Sequence, residues 1–478
     1  MRNNLSEQRC RERWQAIATV IVAHVDGLAG QGSFDEDVRS AITGAADNVA
    51  QGSPDTESTL EAVVSFDERL DALVPARLRG AATMGRGSIE VAQTVNRMLV
   101  RSELAATGAV LLELVDSLLQ TASAHVVTML PMHAGGQPLQ PTTFASIVGG
   151  TTGPLLRGVD LLNLALRQTN LSPMGAGSGT SSRFAPSREE TSARLGFDHP
   201  IVNVYDAVSA SDYLAVCAMA LDVIASAVAR LLAELRQIMW AVPDGIVFPD
   251  EQVRRLPDVP QMRTPDQLEA VSRLVMQIRQ TMAGVRLMID GQPPGPQSDN
   301  DLAVAAVIEG CVLTRELAST VAHLFNDGFE INRAALGNRA GKGHLTSSDI
   351  VDFLVIEEGI SPGDARLIAE RVLALVRDRG LEIAAIDREM IDSAGLLIVG
   401  HEIGIEFETL SKYLAPRRFL ESRTSLGAPS PDSTRQWIRD ERRNVQSRRE
   451  HFSNLLAQWS SGHGAPGHRD DESVPESS

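Results

Sequence analysis

The sequence predicts an all-α protein built around a long central helix bundle. Three observations carry this prediction. Hydrophobic residues make up 43% of the 478 residues but aromatic ones only 4%, so the apolar content is aliphatic and suits packed helices better than a β-sandwich. Apolar residues recur at helical spacing over several very long stretches. No series of segments alternates apolar with polar residues, and no internal repeat is visible.

Residues 6–50 predict two short helices around "GLAGQGSFDEDVRSAI". Gly30 and Gly32 break the first, and Ser33 is the expected N-cap of the second, with Glu36 completing a capping box. After the break "GSPDTEST", helical periodicity resumes at Leu60. From Thr94 to Leu130 a wide stripe runs through Leu99, Leu104, Leu111, Leu114, Val115 and Leu118, which predicts one long helix covered on several sides. "AGGQPLQPTTF" ends it, and another helix is expected over residues 144–168. Residues 172–189 form a Gly/Ser loop. The runs 206–240, 266–290 and 301–326 are long apolar helices, and their number argues for a bundle shared between subunits. Residues 254–267, "RRLPDVPQMRTPDQ", predict an exposed loop stiffened by Pro257 and Pro260, with a helix starting at Pro265-Asp266. The expected division is 1–93, an N-terminal helical domain; 94–345, the central bundle; 346–445, a C-terminal helical domain; and 446–478, a polar disordered tail.

Composition excludes several classes of function. A net charge of −17 argues against a general nucleic-acid partner. Nearly all cations are arginine; Lys342 and Lys412 are the two lysines. Cys10, Cys217 and Cys311 have neither metal-ligand nor redox spacing, and the last two lie in apolar runs that predict buried thiols. No metal and no cofactor are expected. No apolar stretch reaches about 20 residues, and the first residues lack a signal core, so the expectation is a cytoplasmic protein without a membrane anchor.

The segment "SPMGAGSGTSSRFAPSREETSARLGFDHPIVNVYDAVSASD", 172–212, resembles argininosuccinate lyases, which run Ser-Pro-Leu-Gly-Ser-Gly, then Leu-Gly-Phe-Asp, then Asp-Ala-Val-Ser-x-x-Asp. "QPLQPTTF" (137–144), "SSDIVDFLV" (347–355), "SRTSLGAPSP" (422–431) and "QGSFDEDVRSAI" (31–42) are similar to further motifs of that family, in order, so the resemblance covers about residues 20–440. It implies the three-domain fold of the fumarase/aspartase superfamily: all-helical tetramers whose active sites gather residues from three subunits. It also implies C–N or C–O cleavage by β-elimination, usually releasing fumarate.

That chemistry needs a base for the proton beside a carboxylate and donors for the aci-carboxylate that develops. The family's mobile loop reads Gly-Ser-Ser-x-Met-Pro-x-Lys-x-Asn. Aligned on its proline, the base serine falls on Leu256, the lysine on Met262 and the asparagine on Thr264, with Arg263 one position off. The family's Thr-His pair falls on Ala134 and Gly135, and His133 stands two residues earlier. Its Ser-Arg-Asn-Asp motif is represented by "RGSIEVAQT", 86–94, so Arg86 and Ser88 are the remnant of the substrate clamp. The upstream Glu-Asp-x-His becomes Glu61-Ala62-Val63-Val64, and Tyr-Asn-Lys-Asp becomes Pro296-Gln297-Ser298-Asp299. Losses that fall together on base, carbanion stabiliser and clamps argue against ordinary argininosuccinate cleavage, since one oxyanion donor alone is worth about 3 kcal/mol of barrier.

Two functional classes follow. The first is a divergent lyase scaffold for C–N β-elimination on an amino-acid-derived substrate, with catalytic candidates His133 and Arg263 and substrate-binding candidates Arg86, Ser88, Gln137, Gln140, Asn203 and Ser209, together with Glu90. Its partners would be a small anionic or amino-acid-derived ligand and copies of itself in a homotetramer. The second is a catalytically inactive pseudoenzyme that binds a ligand or assembles with a catalytic paralogue as a hetero-oligomer. Each candidate also has a plain structural explanation: His133 as an exposed loop residue, Gln137 and Gln140 as helix caps, Asn203 as the holder of the turn before Asp206, Ser209 as part of a helix terminus, and Arg86 and Arg263 as solvated cations. An unrelated structural protein is disfavoured by the ordered motif matches.

Overall fold

A computed structural model describes residues 2–54, 56, 58–290 and 299–460. The N-terminal part packs α1 (Arg2–Gly30), α2 (Glu36–Ala50) and α3 (Thr59–Leu73) around Trp14, Ile17, Ile21, Ile42, Phe66 and Leu70. The first helix is one 29-residue element rather than a short one, because this core stripe runs almost to its end. The Ser33 expectation fails. Asp35 caps α2 by accepting a hydrogen bond from Val38 N at 2.8 Å, while Ser33 is engaged by the Gln31 amide at 3.1 Å.

The central part begins with α4 (Ser88–Ala124) and the antiparallel hairpin of β1 (Met129–Ala134) and β2 (Gln137–Thr143). This helix starts earlier and ends earlier than the 94–130 stripe predicts. Glu90 caps its start, and its C-cap His125 leads into the hairpin. Then follow α5 (Phe144–Thr169), β3 (Leu171–Ser172), α6 (Arg188–Arg194), β4 (His199–Pro200), α7 (Val204–Ser209) and α8 (Asp212–Ala241). β5 (Ile246–Val247) precedes a second hairpin, β6 (Val253–Leu256) with β7 (Val259–Pro265). The stretch 254–267 is therefore strand–turn–strand and not an irregular loop: cross-strand pairing fixes the backbone that Pro257 and Pro260 stiffen. α9 (Asp266–Ile289) starts where Pro265 predicts, and α10 (Asp299–Asp327) completes the bundle.

α4, α5, α8, α9 and α10 bury one continuous aliphatic core through Leu111, Leu118, Leu155, Ile224, Ile278, Val307 and Leu317. Cys217 and Cys311 are fully buried in it, and burial pushes the Cys217 thiol up to about 12. α8 has the length and apolarity of a membrane-crossing helix, and its apolar residues pack against α5, α9 and α10.

β8 (Glu330–Ile331) and α11 (Arg333–Ala340) lead to a third core, built by α12 (Ser348–Ile356), α13 (Pro362–Asp378), α14 (Arg388–Ile398) and α15 (Phe407–Leu414) around Ile350, Phe353, Ile368 and Ile391. After α16 (Pro416–Ser422), α17 (Pro431–Ser460) returns along α4. Its aromatic side chains need glycines beneath them: a Cβ on Gly108 would meet the Phe452 ring at 2.5 Å, and one on Gly149 the Trp437 ring at 2.5 Å. Residues 446–460, expected in a disordered tail, are thus helical, because Phe452 and Trp459 bury against the bundle. The edges at 93/94 and 445/446 both fall inside helices, α4 and α17. The rest of the tail, 461–478, lies outside the described residues.

Candidate functional site

The sequence-derived candidates fall in three places. The first is the start of α4, where a small core of Ala176, Ile201, Ala207 and Val208, with Ile89 against it, joins α4, the Gly/Ser loop and α7. Glu90 is fully buried here, and its carboxylate accepts hydrogen bonds from Gly87 N and Gly177 N, each at 2.8 Å. Burial raises its pKa, and these amides together with Arg86 oppose the rise. Arg86 is not a solvated cation. Its side chain is 1% exposed and pairs with Asp67 at 2.5 Å, while its Nε donates to Ala82 O at 2.8 Å. Ser88 opens α4 half-buried. Beneath this segment His24 Nε2–H donates to Met84 O at 2.9 Å, leaving Nδ1 buried without a partner. Burial, and then the Arg86 charge, hold this imidazole down to about 4.

Asn203 and Ser209 serve α7 itself. The Asn203 Oδ1 accepts from Tyr205 N at 2.9 Å and Asp206 N at 3.1 Å, and the Ser209 hydroxyl donates to Tyr205 O at 2.7 Å. These bonds make Asn203 an N-cap and return Ser209 to its own helix.

The second place is the β1–β2 hairpin. Gly135 and Gly136 form its two-residue turn with φ of 57° and 75°, the left-handed pair that a type I′ turn requires. Where the resemblance places a histidine, the chain thus has a left-handed turn position that glycine takes without strain. His133 sits half-buried on β1 opposite Pro138; its pKa is lowered by burial and then by the Arg339 guanidinium. Gln137 is exposed beside the turn, and Gln140 donates to Ser348 Oγ at 3.2 Å, at the first residue of α12.

The third place is the β6–β7 hairpin. Leu256 and Met262 are 36% and 45% exposed on it. Arg263 lies opposite Arg255, bonds the Asp250 carboxylate and donates to Phe248 O at 3.2 Å, so it too is paired rather than free.

No hydrogen bond or ion pair among the described residues joins these three places. At the positions that the resemblance gives to base, amine and histidine stand Leu256, Met262 and Gly135, none with a proton to exchange at neutral pH. A cavity of about 680 Å³ lies elsewhere, on α1 and α2, lined by Gln15, Thr19, Asp26, Asp47, Gln51 and Arg194. Among the described residues no three His, Cys, Asp or Glu side chains group as metal ligands.

Several polar residues of these regions carry no motif and escape sequence analysis: His24, Asp67 and Asp250 are legible only through their partners. Asp301 is another. It accepts from Ser58 Oγ at 3.1 Å, Thr59 N at 2.9 Å and Asn96 Nδ2 at 3.1 Å, tying α3, α4 and α10 together. Of the nearby expectation at 296–299, residues 296–298 lie outside the described residues.

The bundle and its peripheral motifs define a scaffold of the amino-acid C–N lyase type. A family model described as Lyase matches residues 4–279, more than half the chain, and the chain belongs to this family, within the fumarase/aspartase superfamily. It is similar to the argininosuccinate lyase of Methanothermobacter thermautotrophicus, 25% identical over 447 residues that span 90% of this chain and 92% of that protein. The argininosuccinate lyase of Methanoculleus marisnigri is 26% identical over 454 residues, 91% and 89% of the two chains. Among solved structures, EDDS lyase in complex with formate matches with a TM-score of 0.79 at 20% identity, covering 94% of this chain and 90% of that one. The class II fumarase from Schistosoma mansoni matches with a TM-score of 0.68 at 14% identity, covering 85% and 90%. These structural likenesses establish the fold.

Proposed function

We propose that this protein is a divergent lyase whose scaffold serves fumarate-releasing C–N β-elimination on an amino-acid-derived, anionic substrate other than argininosuccinate. One observation carries the proposal: Leu256, Met262 and Gly135 replace the parent base, amine and histidine on two ordered hairpins, while the surrounding scaffold motifs persist. His133 and Arg263 are the catalytic candidates, and Arg86, Ser88, Gln137, Gln140, Asn203 and Ser209 remain the substrate-binding set, Arg86, Gln140, Asn203 and Ser209 now with structural partners as well. Burial and Arg339 favour a neutral His133, the form a base requires. The assembly is a cytoplasmic homotetramer, needing neither nucleic acid nor membrane. Trp240, Met276 and Leu287 support it: they stand 75%, 62% and 78% exposed on α8 and α9, where a bundle shared between subunits would cover them.

The test is fumarate release, followed by its ultraviolet absorbance, from the purified chain given argininosuccinate and a panel of N-substituted aspartates. Silence on argininosuccinate and release from another member of the panel are expected. Release from argininosuccinate would refute the assignment of Leu256 and Met262. The second reading, a pseudoenzyme that assembles with an active paralogue, is favoured by the scaffold motifs that persist around the erased base, amine and histidine positions Leu256, Met262 and Gly135. It predicts silence alone and altered activity on mixing with the host's other superfamily members.

A further inference from the structure

One buried arginine joins separate parts of the chain. Arg101 stands on α4, 4% exposed, and its donors go to neutral oxygens. Nη1 bonds Asn170 Oδ1 at 2.7 Å and Gly196 O at 3.0 Å, and Nη2 bonds Leu195 O at 2.6 Å. Among the described residues no carboxylate pairs with it directly. Asp198 is reached only through Asn170, whose amide donates to Asp198 Oδ1 at 2.8 Å. Two aromatic faces contribute the remaining electrostatic stabilisation. The guanidinium lies 4.3 Å from the Phe197 ring centroid and 4.9 Å from that of Trp459. Trp459 also donates its indole N–H to Gly196 O at 3.2 Å, so one carbonyl accepts from both Arg101 and Trp459.

The segment held in this way has little order of its own. α6 and α7 are seven and six residues long, too short to persist alone. Between them, residues 195–203 make one two-residue strand pairing, β3 with β4. Arg188 donates to Ile201 O and Val202 O, but from α6, next to the same segment. The polar ties to the bundle run through Arg101 and Asn170, and Trp459 closes over them from the end of α17.

We propose that Arg101 and Trp459 are positioning residues that form a latch: through them the last turn of α17 sets how readily residues 195–203 open, and with them Asn203, a substrate-binding candidate. The lyase reading enters only through the role of Asn203; the latch itself concerns opening.

Amide exchange of the full chain, read by mass spectrometry over residues 195–203, tests it, with peptides from α5 and α13 as internal references. Trp459→Leu keeps apolar bulk and removes both the ring face and the N–H. Exchange over 195–203 is expected to rise about tenfold. Trp459→Phe keeps a ring face and loses only the N–H, and a rise of about threefold is expected. An indole that merely fills space would make the two variants alike, and that result overturns the latch. Unchanged exchange in Trp459→Leu, or a rise spread equally over α5 and α13, overturns it too. Exchange does not depend on turnover, so a silent fumarate assay leaves the latch standing, and a failed latch leaves the lyase assay to be judged alone.

Discussion

His24 should make this protein acid-sensitive in a defined window. Its imidazole is 1% exposed, donates through Nε2 to Met84 O and is held down to about 4 from the ordinary 6.5. Burial is the main cause, and the Arg86 charge adds to it. The folded chain therefore keeps this histidine neutral where the unfolded chain protonates it. Stability contributed by the neutral form is present above about 6.5 and is lost as pH falls towards about 4. At 1.36 kcal/mol per pH unit, the full loss is about 3 kcal/mol. His24→Gln keeps an N–H for Met84 O and cannot titrate. Denaturant melts of both proteins between pH 7 and pH 4 isolate the effect as a difference, which cancels the other titrating groups. The wild type should lose about 3 kcal/mol more than the variant across that range. A flat difference would refute the claim that His24 is buried neutral beneath Met84.

Glu90→Ala should cost about 2–4 kcal/mol, since it strands the Gly87 and Gly177 amides in a buried place, and thermal melts would show it. Gly108→Ala should cost about 1–3 kcal/mol by driving a methyl into the Phe452 ring, and it should raise proteolysis within α17 ahead of the rest of the fold. Arg423→Gln removes the cation that pairs with buried Asp349 and packs over Phe419. The C-terminal core around Phe353 should then lose amide-exchange protection first, while the bundle core keeps its own. Restoring serine at Leu256 and lysine at Met262 together should not restore argininosuccinate cleavage, because Gly135 still occupies the histidine position; fumarate release would measure it.

The sequence by itself determined the helical class, the long bundle helices and the family. Apolar residues at helical spacing over residues 94–130, 206–240 and 266–290 leave little choice, because such stripes can be buried only against other helices. Motif gaps at 134–135, 256 and 262 likewise needed no structure to be seen. Local signals misled where two segments compete for one role. Ser33 and Asp35 are both acceptable caps, and only the backbone geometry around Val38 selects Asp35. "RRLPDVPQMRTP" looks like a loop because a two-proline segment hides its cross-strand pairing, which is a contact between residues and not a property of either strand. The polar tail composition hid α17's last turns, whose helix is secured by Phe452 against Gly108 and Trp459 against Gly196. The tertiary structure alone decided that Arg86 is a buried ion pair with Asp67 and that Arg255 and Arg263 share Asp250, because these charges meet only when separate segments are folded together.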